Sequence, residues 1–480
     1  MGAPSRGTTV RPGGDSPAAA LPMEPHDGGT LYITAEHAVA GAGSLASGPL
    51  GSTILRVALP AVASMLLMTI FSSVDAYWVG TRIGSAGLAA VTAAIFWIWL
   101  IVSIAEMVSV GLTAVAARRH GQGRSRDAAR ASGDALFLAL ALGAAVAVVG
   151  LWLLPQLFAL MDTSPEVTLL GRRYLGTYLA GAPLIFGFFV VDATFRAAGD
   201  TRTPFLLLST SVVATLVLDP VLILGLLGAP TLGIRGAAIA TLATRSVVFV
   251  IGLVILRRRR MIAVGRPRPD TIGAILRVGL PTAATGVFFS LIYVVIARIA
   301  TPFGTAALAA LGIGHRVESW LFMVGVGVAA AVAAIVGQSM GAGDTARAAR
   351  AGWVSVGFVS VIGFAVFIAQ TLWAPHMAGL FTNDPAVVAE GARYLRIAAW
   401  SQLFISAEIV LEGALGGAGA TLPPMVTSTS ITALRIPLAI FCVARWGTSG
   451  LWWIISLTAV GRAVAMMALW RAGRWKLRSL

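Results

Sequence analysis

Residues 54–60 read Ile54-Leu-Arg-Val-Ala-Leu-Pro60, and residues 275–281 read Ile275-Leu-Arg-Val-Gly-Leu-Pro281. Further segments repeat at an offset of about 220 residues (304 − 84 = 220). Residues 84–90 match 304–310, residues 173–175 match 393–395, and Gly199, Thr201 and Pro204 match Gly419, Thr421 and Pro424. An offset that holds across four apolar segments indicates an internal repeat. The chain therefore consists of two homologous halves.

Both halves are strongly apolar. Hydrophobic residues make up 57% of the 480 residues and charged residues only 11%, which is too little charge to cover a soluble domain of this length. The apolar stretches reach about 20 residues or more, the length of a helix that spans a bilayer, and they lack the alternation of a membrane β-barrel. They predict twelve helices, at 57–80, 87–117, 133–155, 168–195, 204–228, 233–256, 274–300, 306–340, 350–373, 387–415, 424–445 and 449–470.

An even number of helices in each half gives both halves the same orientation in the membrane. The predicted fold class is therefore all-α integral membrane, with two six-helix bundles related by a pseudo-two-fold axis along the membrane normal. Such bundles can rock about a central cleft and give alternating access. We predict a disordered N-terminal tail at 1–51, an N-lobe at 52–260, a cytoplasmic linker at 261–273 and a C-lobe at 274–478.

The formal charge of +15 raises the question of nucleic-acid binding. The basic residues, however, fall in clusters within alternate loops, such as 118–130 and 257–260, while the other loops hold at most one Arg each. This is the positive-inside pattern of membrane proteins, so we predict the lipid bilayer as partner and no nucleic acid. Both termini are then cytoplasmic, and we expect a multi-pass protein of the bacterial cytoplasmic (inner) membrane.

Few residues suit catalysis or metal binding. Cys442 is the only cysteine, and the five His residues show no metal-ligand spacing. There is no nucleotide-binding motif of the kind that powers ATP-driven pumps. We therefore predict no enzymatic activity, no catalytic residues, no metal site and no cofactor.

Several motifs resemble a known family. Residues 195–204 read Phe-Arg-Ala-Ala-Gly-Asp-Thr-Arg-Thr-Pro and follow predicted helix 4; Leu-Asp-Pro stands at 218–220, Val-Gly-Gln at 336–338 and Arg-Ile-Pro at 435–437. They resemble, in order and on a twelve-helix plan, the motifs of MATE (multidrug and toxic compound extrusion) transporters of the MOP flippase superfamily. The resemblance implies cation-coupled export of amphipathic, often cationic, small molecules, most simply by a monomer.

Ionisable groups inside spanning helices are costly and are candidate functional residues. Asp75 lies 19 residues beyond Arg56 (75 − 56 = 19) and Asp219 lies 17 beyond Arg202 (219 − 202 = 17). At about 1.5 Å per residue both carboxylates reach a similar depth, about 25–29 Å from these anchors. Thr241, near the outer end of predicted helix 6, shares this layer.

The resemblance assigns these residues a role. In the DinF-like branch of the family, the matching aspartates of helices 1 and 5 form the cation or proton site of the N-lobe, and the proline matching Pro60 is linked to bending of helix 1. Pro60 suits a bend because it removes a helix hydrogen bond. The alternative is that Asp219 only shapes helix 5 and Asp75 only caps local hydrogen bonds.

The predicted mechanism couples a proton to the substrate. Two nearby carboxylates in a low-dielectric cavity resist simultaneous ionisation. A proton from outside would neutralise the pair, remove its attraction for a cationic substrate and change the packing of helix 1. Relatives carry Asn where this chain has Thr215, which leaves fewer ligands for sodium; we expect H⁺ rather than Na⁺ as coupling ion, with Thr215 and Thr241 as hydroxyl ligands.

Other polar groups divide into substrate contacts and structural contacts. Glu106, Tyr77 and Tyr293 are candidates for the substrate cavity. The NorM-like branch places acids in helices 7 and 10, but predicted helix 7 has none, and Glu408 and Glu412 lie near the inner end of helix 10. For the remaining charged residues we predict structural contacts: Glu412 and Asp192, at repeat positions, with Arg196 or Arg435, and Glu318 with Arg316.

Two other functions compete with export of drugs or metabolites. One is a flippase for a lipid-linked precursor, which shares the two-bundle plan but usually has extra helices and a strongly cationic cavity. The other is a membrane enzyme or scaffold without transport, against which stands the lack of any nucleophile–base or metal constellation. The sequence leaves the substrate itself open.

Overall fold

In the computed structural model the described residues are 45–82, 85–159, 165–228, 230–303, 305–381 and 384–477. Side chains at some positions within 71–96 and 290–308 lie outside this description, among them those of Asp75 and Tyr77. The described residues are almost entirely helical and contain no β-strand. They form the all-α membrane fold that the sequence predicts.

The helices are named α1 to α12 in chain order. The N-terminal half has α1 (Leu50–Arg82), α2 (Ser85–Gly121), α3 (Ser125–Ala159), α4 in two segments (Pro165–Ala180 and Ala182–Ala197), α5 (Arg202–Leu224) and α6 (Ile234–Arg258). The C-terminal half has α7 (Pro269–Ala300), α8 (Thr305–Gly341), α9 (Thr345–Gly379), α10 (Pro385–Gly417), and α11 and α12, the two parts of Leu422–Ala472 on either side of Gly447. This gives six spans in each half.

Two breaks within these helices have local causes. The two segments of α4 meet at Gly181 with a bend of 53°, whereas the sequence predicted one helix over 168–195. Pro183 has no N–H to continue the helix, and it disfavours helical geometry at the residue before it. The second break is at Gly447, whose φ of 58° and ψ of −144° suit only glycine.

The repeat of the sequence is also a repeat of contacts. Thr201, at the start of α5, donates a hydrogen bond from its hydroxyl to the carbonyl of Val57 in α1 at 2.8 Å. Thr421, its repeat partner, donates to the carbonyl of Val278 in α7 at 2.7 Å. The same side chain therefore ties the fifth helix of each lobe to the first.

The segment before α1 is ordered further towards the N-terminus than predicted. The backbone N–H of Leu45 donates to the Gln338 side chain at 3.0 Å. Arg347, at the start of α9, donates to the carbonyls of Leu45, Ser47 and Gly48 at 3.1, 2.8 and 2.8 Å. Of the tail predicted at 1–51, residues 1–44 lie outside the described structure, whereas residues 45–49 are bound by the C-lobe and α1 begins at Leu50.

The segment before α7 makes the reciprocal crossing. The backbone N–H of Ala263 donates to the carbonyl of Ala129 in α3 at 2.9 Å, and Arg268 forms an ion pair with Asp134 of α3 at 3.0 Å. The helix α7 begins at Pro269, five residues before the predicted start at residue 274. The chain that enters each lobe is thus held by the other lobe.

The lobes also meet backbone to backbone, through glycines. A Cβ atom added to Gly279 of α7 would lie 1.9 Å from the Met107 carbonyl oxygen of α2, and one added to Gly341 of α8 would lie 2.0 Å from the Arg118 carbonyl oxygen. A Cβ on Gly111 would similarly meet the Ile275 carbonyl oxygen at 2.1 Å. These contacts lie towards the helix ends that carry the Arg-rich loops, so the lobes are closed together at that end.

Glycine at position 279 is therefore expected to be required for closure. Gly279→Ala should destabilise the protein by about 1–3 kcal/mol, because the added methyl group forces α2 and α7 apart. Gly273→Ala is the control: it lies in the same helix with nothing within 4 Å of the new Cβ, and it should be neutral or stabilising. Thermal unfolding of the purified variants in detergent measures both, and equal stability of the two would contradict the closing role of Gly279.

Candidate functional site

The candidate coupling site of the N-lobe lies where α5 packs against α6. Asp219 of α5 is completely buried, and Thr215, one turn earlier, is 2% exposed. The Thr215 hydroxyl lies 2.6 Å from the Thr244 hydroxyl of α6. Each hydroxyl also contacts a carbonyl of its own helix, Ser211 for Thr215 at 2.8 Å and Ala240 for Thr244 at 3.0 Å. Thr215 is thus bound to α6 rather than turned freely towards the site.

The register of the two helices places Thr241 beside Asp219. Besides the Thr215–Thr244 contact, a Cβ added to Gly236 of α6 would lie 2.7 Å from the Leu222 carbonyl of α5. The helices are antiparallel, so these two contacts set Asp219 level with Ala240, next to Thr241 in the chain. Thr241 is buried, with 8% of its side chain exposed. The structure therefore brings three of the four predicted coupling residues together.

Asp75, the fourth, lies in α1, but its side chain is outside the described part of the structure, as is that of Tyr77. The level of Asp75 follows from Met68, whose sulfur lies 3.6 Å from an Arg245 nitrogen of α6. Asp75 is seven residues further along α1 than Met68, about 10 Å. The register of the two helices sets residue 214 of α5 level with Arg245. Asp219 is five residues further along α5, a distance of about 7.5 Å. The backbone of Asp75 is therefore further along α1 in the same direction as Asp219 along α5, and the meeting of the two carboxylates in one layer stays a prediction.

Pro60 lies inside α1, which the structure shows as one helix over Leu50–Arg82. The hydroxyl of Ser64 donates to the Pro60 carbonyl at 2.9 Å. This bond lies within the turn that follows Pro60. The role of Pro60 in bending α1 stays a prediction.

Arg245 is a residue of this region that the sequence analysis missed. It is the twelfth of the 25 residues of α6 and is 8% exposed, so it lies in the middle of a span and inside the lobe. Its signal was present in the sequence, since a lone charge in a long apolar run is a functional candidate by the same rule that selected Asp75 and Asp219. Arg462, in the middle of α12, was missed in the same way.

In the C-lobe the two mid-span arginines, Arg462 and Arg435, have protein partners, and for Arg462 the partner is a carboxylate. Arg462 of α12 forms an ion pair with Glu408 of α10 at 3.1 Å and donates to the hydroxyl of Thr432 in α11 at 3.1 Å. Its guanidinium also lies over the ring of Phe289, 5.5 Å from the centroid. A buried ion pair with a further hydrogen bond and an aromatic face is a structural arrangement that satisfies both charges.

Arg435, which is completely buried, has a similar environment. It donates to the Thr458 hydroxyl at 2.8 Å, and its guanidinium lies 5.3 Å from the ring centroid of Tyr293. Tyr293 also packs edge-on against His315, with 4.7 Å between ring centroids. Tyr293, a candidate for the substrate cavity, therefore belongs to an aromatic and cationic cluster inside the C-lobe.

Two predicted polar contacts differ in the structure. Glu318 accepts a hydrogen bond from the Tyr394 hydroxyl at 3.2 Å instead of pairing with Arg316, because helix positions two residues apart point to different faces. Glu412 has no cation within 4 Å among the described residues. Arg462 pairs instead with Glu408, one turn away from Glu412, and Arg435 donates a hydrogen bond to Thr458. The predicted Glu412–Arg435 contact is therefore wrong.

On the N-lobe side, Asp192 forms an ion pair with Arg196 one turn later. Arg196 also donates to the Ser109 hydroxyl of α2 at 3.4 Å and lies within electrostatic range of Glu106. Glu106 is exposed and immediately precedes Met107, whose carbonyl meets Gly279 at the closing contact. Glu106 thus stands at the edge of the closed end, a position compatible with its predicted contact to substrate.

The ion pair of the C-lobe gives a direct test of this division of charges. Glu408→Gln leaves the Arg462 charge buried without a counter-charge and should cost about 3–5 kcal/mol of stability. Glu412→Gln, one turn away and without a cation within 4 Å in the described part of the chain, should cost far less. Adding Arg462→Gln to Glu408→Gln should recover part of the loss in thermal unfolding. A loss as large for Glu412→Gln as for Glu408→Gln would contradict the pairing.

Comparison with known proteins agrees with this architecture. The MatE family model matches the chain twice, over residues 60–221 and 281–441. A probable multidrug resistance protein NorM of Deinococcus radiodurans is 31% identical over 446 residues, covering 88% of this chain and 96% of the relative. The probable NorM of Thermotoga maritima is 29% identical over 446 residues (89% and 93%), and an FAD transporter of Shewanella oneidensis 28% over 400 residues (82% and 85%).

Solved structures share the fold. A MOP superfamily transporter of Pyrococcus furiosus superposes with a TM-score of 0.83 at 23% identity, covering 89% of this chain and 97% of that one. The MATE transporter VcmN of Vibrio cholerae, in a mutant form, gives a TM-score of 0.82 at 21% identity, with 89% and 99% covered. With two matched repeats and a relative above 30% identity along most of its length, the chain belongs to the MATE family, whose members are multi-pass membrane transporters and not enzymes.

Proposed function

We propose that the protein is a cation-coupled antiporter that exports amphipathic, often cationic, drugs or metabolites by alternating access. The observation that carries the proposal is Asp219, a completely buried carboxylate inside a spanning helix, one turn after Thr215 and level with the Ala240–Thr241 turn of α6. An ionisable group buried within a membrane span is a candidate functional residue. The names of the relatives, multidrug resistance protein and FAD transporter, support small molecules as the cargo.

The closing contacts supply the direction of access. We place the Arg-rich loops and both termini in the cytoplasm of a bacterium, in keeping with the positive-inside pattern and the bacterial relatives. The glycine contacts of Gly279, Gly341 and Gly111 then close the cytoplasmic side, which in an alternating-access cycle is the state whose pathway leads to the outside. Export requires the reverse state, in which the lobes part at these glycines and meet at their outer ends.

The site favours a proton over sodium. Sodium needs several oxygen ligands at once, but Thr215 and Thr244 bind each other and their own helices and offer little to an ion. A proton needs only a carboxylate. We therefore propose that Asp219 and Asp75 exchange a proton for the cationic group of the substrate, in a protein that works as a monomer without a cofactor.

The test is export of ethidium from proteoliposomes with an imposed proton gradient or an imposed sodium gradient. We expect the proton gradient alone to drive export, because the proton and the cationic group of the substrate bind in turn to the same carboxylates, Asp219 and Asp75. Asp219→Asn and Asp75→Asn should each reduce export at least tenfold, the scale of about 1.4 kcal/mol or more in binding. Initial rates of fluorescence change measure both effects.

Asp127→Asn is the matched control, because it removes a partly exposed carboxylate in the first turn of α3, where Asp127 pairs with Arg124 at the Arg-rich end of the helix. Its export rate should equal that of the wild type. Export driven only by sodium would keep the antiporter and overturn the choice of ion. Absence of export under both gradients, with a normal unfolding temperature, would favour the lipid-linked flippase instead.

A further inference from the structure

Arg245 has no counter-charge within the part of the chain that the structure describes. Its recorded contact is the Met68 sulfur at 3.6 Å, and a thioether is a weak acceptor that carries no charge. Among the described residues no carboxylate oxygen lies within 4 Å of its guanidinium. At 8% exposure the side chain is more than nine-tenths buried, in the middle of a membrane span. A cation in this position is costly without an anion.

The side chains packed around Met68, the recorded contact of Arg245, are apolar. Met68 packs with Leu67 and Leu216 against the buried side chains of Leu208 and Val212, so this part of the lobe is apolar. Two arginines in the middle of C-lobe spans, Arg462 and Arg435, are both held by protein groups. Arg462 has a carboxylate partner in Glu408, and Arg435, which has no carboxylate within 4 Å among the described residues, is hydrogen-bonded to Thr458 and lies over the ring of Tyr293. For Arg245 the contact that the structure records is the Met68 thioether.

Arg245 lies closer to the Arg-rich helix ends than the level of Asp219 does, and on the face of α6 that carries Thr241. Thr241, in the layer of Asp219, is one helical turn from Arg245 and shares its face of the helix. Along the helix axes the two levels are separated by about 7–10 Å. One small molecule can therefore reach both, with a cationic group at the carboxylates and an anionic group at the guanidinium.

We propose that Arg245 binds the oxyanion, a carboxylate or a phosphate group, of a zwitterionic amphipathic substrate whose cationic group lies at the Asp75–Asp219 layer. The guanidinium fork matches such oxyanions with two parallel hydrogen bonds, which an ammonium or a neutral side chain does not provide. The inference rests on the proposed function for the cationic end of the substrate. The inference adds that the substrate must carry an anionic group, which a site made only of carboxylates would not require.

The arrangement also fits exchange for a proton. When a proton neutralises the carboxylates, the substrate keeps its contact with Arg245 but loses the attraction at its cationic end. Its affinity falls on the outer side, where the pathway is open, and it leaves. A molecule with only the anionic group gains nothing from this step, so exchange selects molecules that carry both charges.

Two dyes that differ by one ester group test the proposal. Rhodamine 123 is a methyl ester with a delocalised cation, and rhodamine 110 is the corresponding free acid, a zwitterion. The full-length wild type in detergent should bind rhodamine 110 at least about tenfold more tightly than rhodamine 123 by fluorescence polarisation. Arg245→Gln should weaken rhodamine 110 by about 10–100-fold, the effect of losing hydrogen bonds between charged groups, and leave rhodamine 123 within about twofold.

Controls separate anion binding from folding. Arg235→Gln removes an exposed arginine at the outer end of the same helix and should leave both dyes unchanged. Arg245→Lys keeps the charge without the fork and should weaken rhodamine 110 less than Arg245→Gln does. The comparison of the two dyes on unaltered protein does not depend on any variant being stable.

Three results would overturn the proposal: equal binding of the two dyes by the wild type, no binding of rhodamine 110, or an equal loss of both dyes in Arg245→Gln. The last would mean that Arg245 acts on the carboxylate layer instead. Failure of the proposed antiport looks different. In that case neither gradient drives rhodamine 123 export in proteoliposomes, while the binding difference between the dyes and its loss in Arg245→Gln persist.

Discussion

The cost of charge in a low-dielectric span is the constraint on which this structure depends. Few charges lie inside the helices, and most of those that the structure describes have an identifiable partner. Arg462 binds Glu408, Arg435 binds Thr458 and Arg196 binds Asp192. Arg245 has no such partner among the described residues, so the free-energy cost of burying its charge is not explained by packing. Function is therefore to be sought in the N-lobe.

A second constraint is the contact between the lobes. Gly279 and Gly341 let one backbone lie against another at the closed end, and a side chain at either position would hold the lobes apart. The entry segments strengthen this end, because Arg347 binds the chain before α1 and Asp134 binds the linker before α7. A rocking motion must part the glycines, and the two crossings provide the links about which the lobes remain joined.

The sequence predicted the fold almost completely, because spanning length and positive-inside loops are properties of composition along the chain. It missed the bend of α4 at Gly181, which depends on a single proline, and the order of residues 45–49, which depends on Arg347 far away in the chain. The layer of Asp219 and Thr241 followed from counting residues along straight helices. The partners of Glu318 and Glu412 did not, since they depend on which face of a neighbouring helix each side chain meets.

Comparison of the two lobes shows where the two halves of the repeat differ in their polar side chains. Gly447 before α12 corresponds to Gly233 before α6, and both have positive φ, which pairs Thr458 with Thr244. Arg435 stands at the repeat position of Thr215 (435 − 215 = 220). The hydroxyl contact of the N-lobe, Thr215 to Thr244 at 2.6 Å, thus has its counterpart in the 2.8 Å bond from Arg435 to Thr458.

In the same alignment the C-lobe has no counterpart of Asp219 or Arg245. Asp219 corresponds to Ala439 and Arg245 to Ala459, so the C-lobe has neither the carboxylate nor the open guanidinium at these positions. Arg462 forms an ion pair with Glu408, and Arg435 donates a hydrogen bond to the Thr458 hydroxyl. In the N-lobe Asp219 and Arg245 do not pair with each other, because about 7 Å of helix separates their levels. The two lobes therefore share a backbone plan but differ in their mid-span charges: the C-lobe has the Arg462–Glu408 ion pair, and the N-lobe has Asp219 and Arg245 at separate levels.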